Sequence, residues 1–559
     1  MRNRKKKNGL TVNAIAGTYV VTLGLDLDKD ARKGCLGFAV QREDHTEDEK
    51  YWMRGSKTFE KTQGDAGFGD MFSTREHPLQ SFQWADYSAK PGYDYTYKVV
   101  PMYGTPESLE EGDAVSVKVK TESEGGDTHS VFFNRGTAGS QAYVSRFKDK
   151  YPDEIGEPAY RWLSRGLFEA LLNFLERAED DNYAIHGAIY EFEWSDALKA
   201  CGDAAKLRKV NVEIIYDAIK AATAKDNRDH ILKAGIQHLC SERTVGTIMH
   251  NKFFILSKKD GNGEYKPIAV WTGSTNLTEN GIFGHSNCGH IVEDAAVAEK
   301  YMAYWHQLKT NDKDVKIKKW VDENNIAPPN PWEDDVSVIF SPRTKYAPLD
   351  WYAEIAAAAP TKPLFMTFPF GMDKRFLQVF RQPDGVLRLA LMEKEGNGKS
   401  LAQGKIDVAK MRRLPNVVIA LGNHIQINKF DRWLATKRKP TRNAGVLWVH
   451  TKYMLIDPLG KNPVTVSGSA NFSQNSTTMN NENMLVIRGN KRVADIYLGE
   501  FMRLHSHYAF REAVAKDFNK GKDWKPQFLI PSDEWQQQGY FKTGHQRFLR
   551  REYFAGNSE

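Results

Sequence analysis

The spacing of hydrophobic and polar residues changes near residue 150 of the chain. Before that point apolar and polar positions alternate, as in residues 93–99 and 115–119, which is the two-residue period of strands with one buried face. Glycine and proline separate these runs, as expected for short strands joined by turns. The pattern predicts a β-rich accessory domain over residues 1–150, folded as a β-sandwich.

From about residue 151 helical spacing alternates with short apolar runs. The pattern predicts helices at 166–180 and 295–308 and buried strands at 183–192 and 210–216. The proline-rich stretch 327–331 is the strongest linker signal, and the same order of elements begins again after it. This region is therefore predicted to be an α/β structure.

The order of elements repeats because the two halves of this region share a sequence pattern. Residues 183–201 correspond to 363–379, 210–216 to 386–392, and 297–308 to 493–504. A period of roughly 200 residues is too long for a solenoid. We therefore predict two similar α/β lobes packed as a pseudo-dimer, one over residues 151–331 and one over 332–559 with a C-terminal extension.

Composition sets the outer limits of this interpretation. The chain has 559 residues, 41% of them apolar and 27% charged, and a net charge of +7, which is typical of a globular protein with several packing units. Its cysteines, Cys35, Cys201, Cys240 and Cys288, lie far apart, which favours neither disulfides nor a thiolate zinc site. The basic N-terminus is not followed by a continuous apolar signal core. We expect a cytoplasmic protein without a metal or another cofactor.

The candidate chemistry lies in a motif that occurs once in each half. Two of the fifteen histidines stand in a His-x-Lys triplet, with Lys252 after His250 and Lys452 after His450. In a strand, residues two positions apart share a face, so each imidazole is expected beside its ammonium group. A Gly-Ser-x-Asn tetrad follows each triplet. Two such sets around one cavity would suit a phosphodiester, because they bring cations and amides without a cluster of carboxylates.

With these motifs the chain resembles the phospholipase D superfamily, whose signature is H-x-K-x4-D followed by G-S-x-N. The second copy matches throughout, as His450, Lys452, Asp457, Gly468, Ser469 and Asn471, with Glu482 at a further acidic position of the family. The first copy has His250, Lys252, Gly273, Ser274 and Asn276, but Ser257 stands in place of the aspartate and Asn287 in place of the second acidic residue. The resemblance therefore predicts an asymmetric site.

The resemblance implies hydrolysis of a phosphodiester through a phosphohistidine, without a metal ion. The residues that would stabilise charge on the non-bridging oxygens are Lys252, Lys452, Asn276 and Asn471, with Ser274 and Ser469 as phosphate contacts and Asp457 as a supporting residue. Family members orient each histidine through the acidic group of the opposite half, so Glu482 would hold His250. On that basis we expect His250 to be the nucleophile and His450 the acid/base.

The choice of substrate depends on the surroundings of the motifs. The segment 429–442 is strongly basic, with Lys437, Arg438 and Lys439 near its centre and Trp433 among the charges. Such a segment suits a nucleic-acid backbone, with the aromatic ring stacked on a base. We therefore expect a nuclease that cuts DNA or RNA. A phospholipase D acting on phospholipid head groups and a degenerate protein that only binds nucleic acid are the alternatives.

Three remaining features have no assigned chemistry. The N-terminal domain, in which residues 91–103 resemble a late strand of fibronectin type III-like or immunoglobulin-like sandwiches, could dock a protein partner, and the oligomeric state is open. Residues 396–400 resemble the end of a phosphate-binding loop, but Glu393 stands where that motif requires its first glycine. His285 and His290 flank Cys288 without a further ligand set and are interpreted as ordinary residues.

Overall fold

The computed structural model describes residues 1–64, 70–327, 335–358, 362–396, 400–422, 429–436, 448–518 and 528–557. They form an N-terminal β domain and two α/β lobes. The described cysteines are all free thiols. None of the helices within these ranges has both the length and the apolarity needed to cross a membrane.

The N-terminal domain consists of two antiparallel sheets with a shared core and a two-stranded ribbon formed by β6 and β7. Its strands are β1 (Arg2–Lys7), β2 (Leu10–Ala16), β3 (Val21–Leu27), β4 (Gly37–Asp44), β5 (Glu49–Trp52), β6 (Arg54–Gly55), β7 (Phe72–Ser73), β8 (Gln83–Asp86), β9 (Asp94–Thr105), β10 (Ser108–Glu111) and β11 (Val115–Lys120). One sheet has the order β1-β2-β3-β8 and the other β10-β9-β4-β5, with β11 also paired to β9. Along β11 every second residue is buried, as the alternation predicts.

The first lobe is a seven-stranded mixed sheet flanked by helices. Its strands are β12 (His129–Phe133), β13 (Tyr183–Ile189), β14 (Asn211–Asp217), β15 (Cys240–Arg243), β16 (Ile248–Met249), β17 (Lys252–Lys259), β18 (Tyr265–Gly273) and β19 (Cys288–Val292). Its helices are α1 (Ser140–Phe147), α2 (Pro152–Ile155), α3 (Glu157–Ser164), α4 (Leu167–Glu176), α5 (Ser195–Leu207), α6 (Ala221–Ala234), α7 (Ala295–Lys309) and α8 (Asp314–Asn324). The sheet order is β12-β19-β18-β17-β13-β14-β15, and β16 lies outside it.

The second lobe repeats this arrangement strand for strand. Its strands are β20 (Val336–Ser341), β21 (Leu364–Phe368), β22 (Arg388–Met392), β23 (Val417–Leu421), β24 (Tyr453–Ile456), β25 (Val464–Gly468) and β26 (Asn480–Arg488). Its helices are α9 (Ala347–Ala357), α10 (Lys374–Phe380), α11 (Leu401–Met411), α12 (Lys429–Thr436), α13 (Gln474–Thr478), α14 (Lys491–Phe518) and α15 (Gln546–Ala555). The order β20-β26-β25-β24-β21-β22-β23 matches the first lobe, which confirms the predicted two-lobe α/β fold.

The lobes are joined by shared strands and by helix α14. β16 of the first lobe pairs in parallel with β26 of the second, so one sheet continues across the interface. Helix α14 packs against both lobes, and its Glu500 forms a buried ion pair with Arg165 and accepts a hydrogen bond from Arg503 at 2.8 Å. Buried apolar residues of both lobes form one continuous core around this small ionic cluster.

The structure differs from the predicted boundaries at both ends of the lobes. β12 precedes residue 151, yet it pairs with β19 as the edge strand of the first lobe's sheet. The C-terminal extension packs mainly on the N-terminal domain rather than on the second lobe alone, because the Trp535 ring stacks on Phe82 with centroids 5.2 Å apart. Sequence spacing places an element but does not indicate which sheet it joins.

Candidate active site

Both histidines of the triplets lie in gaps between strands rather than in one continuous strand. His250 follows β16 and Lys252 begins β17, while His450 and Lys452 precede β24. The predicted strand through each triplet is therefore interrupted, because the residues before each histidine pair with the opposite lobe. The backbone N–H of His250 donates to the Asn481 carbonyl at 2.9 Å, and Val449 forms a bridge to Ser286. Each imidazole thus enters the cleft from the interface.

The two imidazoles are held crosswise by residues of the opposite lobe. The Nδ1 atom of His250 lies 2.8 Å from Oε2 of Glu482, and Nδ1 of His450 lies 2.8 Å from Oδ1 of Asn287. All four residues are buried. The distances are equal but the partners differ, since one is a carboxylate and the other an amide.

The orientation of the Asn287 amide follows from its other contacts. Its nitrogen donates to the Gly281 carbonyl at 2.7 Å, and its oxygen accepts from the Ser274 hydroxyl at 2.9 Å. An amide oxygen only accepts, so Nδ1 of His450 must carry the hydrogen and Nε2 the lone pair. Among the described residues, no hydrogen bond engages Nε2 of either His250 or His450.

The two lysines occupy equivalent, fully enclosed positions. Each Nζ donates to the carbonyl of its own histidine, Lys252 to His250 and Lys452 to His450. Lys252 also lies over the Tyr190 ring, with Nζ 5.1 Å from the centroid, and the same ring packs on His250. An ammonium group has three donors, so each lysine retains donors for an anion in the cleft.

The asparagines of the two tetrads each keep an unused acceptor. Neither Oδ1 of Asn276 nor Oδ1 of Asn471 has a hydrogen-bond partner in the structure. The amide nitrogen of Asn276 donates to the buried carboxylate of Glu191, a residue that the sequence motifs did not indicate. In the sequence, Glu191 could have been noticed only because it lies two residues after the end of β13, next to Tyr190.

The serines of the tetrads do not have the position expected of phosphate contacts. Ser274 and Ser469 are completely buried, and their hydroxyls accept backbone N–H groups of the next strand, from Cys288 at 3.1 Å and from Asn483 at 3.0 Å. The prediction of phosphate binding by these two hydroxyls is therefore not supported. They instead fix the strands that carry Asn287 and Glu482.

The residues at the family's aspartate position lie away from the histidines. Asp457 is in the turn after β24, where it accepts a hydrogen bond from the Tyr553 hydroxyl at 3.2 Å. Ser257 occupies the equivalent place in β17, completely buried, at an irregularity in the strand register. Asp457 thus supports the attachment of the C-terminal helix, a contact that Ser257 does not make in the first half.

The basic segment is only partly within the described residues. Lys437, Arg438 and Lys439 lie outside them, whereas helix α12 before them is described. Trp433 of α12 is buried and stacks on Phe430, with centroids 5.5 Å apart, so the expectation that its ring stacks on a base is wrong.

A third imidazole lies beside His450. The ring centroid of His285 is 5.6 Å from that of His450, and its Nδ1 is buried without a partner. His285 was interpreted as an ordinary residue, but it stands two positions before Asn287, where the second half has Asn480 before Glu482. An alignment of residues 285–287 with 480–482 would have placed His285 near the site before the structure was known.

Burial and the crowding of cations lower the pKa values of the basic groups. Burial lowers the pKa of His250 to about 4 and that of Lys252 to about 7, although Glu482 raises both. The pKa of His450 is lowered well below its ordinary range by burial and by Lys452, with further contributions from Lys252 and His250 of the other half. The pKa of Lys452 is lowered likewise, by burial and by Lys252. The cleft is therefore an electropositive, largely dehydrated environment that an anion would stabilise.

The described residues offer no arrangement of metal ligands. No three histidine, cysteine, aspartate or glutamate side chains within the described ranges are grouped closely enough to hold a metal ion. Among the described residues the site combines imidazoles, ammonium groups and amides with two carboxylates, Glu482 on His250 and Glu191 on Asn276.

The repeated lobes and the composed cleft define a class of protein in which one site is assembled from two copies of the same motif. A family model described as "Cardiolipin synthase, PLD-like domain" matches residues 171–309 and 403–505. These segments contain both histidines, both lysines and both asparagines of the site. The chain therefore carries a phospholipase D-like domain, as the two motifs predicted.

Three solved structures give further points of comparison. Phosphatidylserine synthase from Haemophilus influenzae is 11% identical over 63% of this chain and 92% of its own, with a TM-score of 0.42. Yeast tyrosyl-DNA phosphodiesterase is 15% identical over 57% of this chain and 87% of its own, with a TM-score of 0.32. Polyphosphate kinase from Porphyromonas gingivalis is 12% identical over 57% of this chain, with a TM-score of 0.37, and the match spans 43% of that kinase. A comparison with curated protein sequences found no match.

Proposed function

We propose that the chain is a phosphodiesterase that hydrolyses nucleic acid through a phosphohistidine intermediate, without a metal ion. The observation that supports this proposal most directly is the crosswise pair of imidazoles. Each has its Nδ1 hydrogen-bonded at 2.8 Å to the opposite lobe, which leaves each Nε2 as the reactive atom. Members of the superfamily hydrolyse or transfer phosphodiesters, and this inventory fits that chemistry.

The different partners of the histidines suggest a division of labour between them. Attack by Nε2 of His250 on phosphorus forms a P–N bond and leaves a positive charge on the ring, which the Glu482 carboxylate stabilises at 2.8 Å. In the complex with substrate, where the anionic phosphodiester stabilises a second proton on the His450 ring, Nε2 gives that proton to the departing oxygen, and the amide partner favours its release because it stabilises the cationic ring less than a carboxylate would. His450 then removes a proton from water, which attacks phosphorus and breaks the P–N bond.

The surrounding polar groups are suited to stabilise the transition state. Lys252 and Lys452 supply N–H donors to the non-bridging oxygens, and the dehydrated cleft strengthens these interactions. The Asn276 amide is turned toward Glu191, and substrate binding would have to compete with that contact or use it. We therefore assign charge stabilisation to the lysines first and to Asn276 and Asn471 second.

Nucleic acid is preferred as the substrate because the basic segment 429–442 begins in helix α12, which packs near the site. Helix α12 packs through Trp433 on Tyr160, with centroids 6.4 Å apart, and Tyr160 packs on Phe283 at 4.8 Å. Phe283 belongs to the π-helical turn Asn280–Gly284, which ends next to His285. The start of the basic segment is thus joined to the flank of His450, where an extended polyanion would enter.

A phospholipid is the second candidate substrate. The description of the matching family model names cardiolipin synthase. In the corresponding reaction a glycerophospholipid would be the phosphodiester, and an alcohol would replace water as the acceptor. The same imidazole chemistry serves both reactions, since His450 would activate the alcohol instead of water.

A panel of substrates in EDTA tests the proposal. Wild-type protein is expected to cut single-stranded DNA, plasmid DNA or RNA, and His250→Ala and His450→Ala are expected to abolish cutting without lowering the Tm. His230→Ala, which removes a half-buried histidine of helix α6, is the matched control and should retain full activity. Turnover of cardiolipin or phosphatidylcholine vesicles with intact nucleic acid would instead support the lipid candidate. Binding of nucleic acid without hydrolysis of any substrate would refute the enzymatic proposal.

A further inference from the structure

Two buried carboxylates lie beneath the segments that carry the histidines. Asp217, the last residue of β14, accepts a hydrogen bond from the backbone N–H of Met249 at 2.7 Å. Glu393, the first residue after β22, accepts from the backbone N–H groups of Val449 at 2.9 Å and Trp448 at 3.2 Å. β14 and β22 are equivalent strands of the two lobes, and Met249 and Val449 each directly precede a histidine.

The burial of these carboxylates argues for a specific role. Both are completely buried, although aspartate and glutamate are almost never fully buried unless they are paired. Asp217 has one carboxylate oxygen on the Met249 N–H and the other without a partner, and burial raises its pKa to about 6. An apolar side chain would cost less in this place. A buried carboxylate accepts the backbone N–H before the histidine at the equivalent place in both lobes, which points to a requirement shared by the two histidine segments.

The segments that precede the two histidines also pair with strands or bridges of the opposite lobe. Ile248 and Met249 pair with Asn480 and Asn481, directly before the Glu482 that holds His250. In the other half, Val449 forms a bridge to Ser286, directly before the Asn287 that holds His450. Each histidine therefore follows a short segment that is clamped between its own lobe's carboxylate and the opposite lobe's strand.

We propose that Asp217 and Glu393 are positioning residues, one for each histidine, which fix the direction from which each Nε2 faces the phosphorus atom. This inference rests on the proposed function. The transfer of a phosphoryl group needs the attacking nitrogen, the phosphorus and the departing oxygen nearly in line, so a small displacement of either imidazole costs rate. The carboxylates act on the backbone and do not contact the substrate.

The two residues should have different kinetic effects because they serve different histidines. Asp217 positions His250, the nucleophile, and is therefore needed in the first step whatever the leaving group. Glu393 positions His450, which protonates the departing oxygen. A p-nitrophenolate departs without protonation, so with such a substrate Glu393 matters only for the second step, in which water attacks.

The experiment compares four variants on two substrates that carry the same nucleotide. The substrates are a dinucleoside monophosphate and the p-nitrophenyl ester of the corresponding nucleotide, and the variants are Asp217→Ala, Asp217→Asn, Glu393→Ala and Glu393→Gln. We expect each alanine variant to lower kcat for the dinucleotide by about 10- to 100-fold with little change in KM. The amide variants keep an acceptor oxygen for the backbone N–H and are expected to recover most of that loss.

A comparison of the two leaving groups distinguishes a positioning role of the carboxylates from a general structural role. With the p-nitrophenyl ester, Asp217→Ala should lose as much activity as with the dinucleotide. Glu393→Ala should show a normal burst of p-nitrophenolate, followed by slow turnover and accumulation of phosphoenzyme. Asp407→Ala removes a carboxylate of the second lobe that pairs with Arg381 outside the site, and it should show no dependence on the leaving group.

Three results would overturn the inference. They are full activity in both alanine variants, amide variants as impaired as the alanine variants, or, for Glu393→Ala, a burst of p-nitrophenolate that is slowed as much as the cleavage of the dinucleotide. If the wild type cleaves no phosphodiester, the proposed function fails, and amide hydrogen exchange then tests the positioning role alone. Exchange at Met249 and Val449 should be faster in Asp217→Ala and Glu393→Ala respectively than in Asp407→Ala, and unchanged exchange would refute the role.

Discussion

Replacement of Glu482 by glutamine is the most direct test of the division of labour in the site. The substitution keeps the size of the side chain and one acceptor oxygen for Nδ1 of His250, and it removes only the charge. Glu482 is buried, is held by the Asn480 amide at 3.1 Å, and lies 2.8 Å from the imidazole. In the variant both histidines would have an amide partner, as His450 already has.

The expected magnitude follows from the charge on the phosphorylated ring. A hydrogen bond to a charged group is worth about 1–2 kcal/mol more than a neutral one. Two unit charges about 4 Å apart interact by about 4 kcal/mol at an effective dielectric constant of about 20, which sets an upper limit. A loss of about 2–4 kcal/mol in the first transition state corresponds to a rate that is about 30- to 1000-fold lower.

Single-turnover cleavage of a labelled oligonucleotide in EDTA, with enzyme in excess, measures this step directly. Glu242→Gln is the control, since Glu242 forms an ion pair with Arg228 outside the cleft and its loss should leave the rate unchanged. Circular dichroism and Tm establish that both variants fold. A rate for Glu482→Gln within about threefold of the wild type would correspond to less than about 0.7 kcal/mol and would refute the assigned role of the carboxylate.

Further predictions concern pH, binding and stability. Because burial lowers the pKa of Lys252 to about 7, kcat/KM should fall as the pH rises through about 7 and this cation is lost, and Glu482→Gln should move that limb to lower pH, since it removes a charge that stabilises the cation. Charge reversal of the basic residues at 437–439 should weaken binding of single-stranded DNA and flatten its salt dependence, and an unchanged salt slope would contradict a contact with phosphates. Glu500→Ala leaves two buried arginines without their carboxylate and should lower the free energy of unfolding in urea by about 3–5 kcal/mol, whereas a loss below about 1 kcal/mol would show that the cluster adds little.

The repeated fold and the main site residues could be predicted from the sequence for a simple physical reason. Catalysis at phosphorus needs particular side chains, so the triplets and tetrads stand out from a background of interchangeable apolar positions. The repeat then places each set at the same point of the same strand order. Strand β11 and helices α4 and α7 could also be predicted, because an element that buries one face has apolar residues at regular intervals in its sequence.

The pairing between the lobes could not be predicted, because it depends on how two folded units meet. The contact between His250 and Glu482, which are 232 positions apart, was expected only from the family resemblance, and nothing local to β16 indicates that it pairs with β26 instead of continuing into β17. The burial of Trp433 is a similar case, since an aromatic ring among basic residues has the same pattern whether it faces solvent or a neighbouring helix. Asp217 left no signal beyond its place at the end of a strand.

The asymmetry of the site is better explained by electrostatics than by decay of the first motif. Asn287 keeps the 2.8 Å contact to its histidine that Glu482 makes to the other, and its amide is fully engaged by Ser274 and Gly281. A remnant without a role would not retain that geometry. Two histidines with carboxylate partners would both be stabilised as cations and would compete for one proton, whereas one carboxylate and one amide separate their affinities for it. In the proposed mechanism the scaffold can therefore remain nearly twofold in shape while a single uncharged residue, Asn287, determines which imidazole attacks and which one transfers the proton.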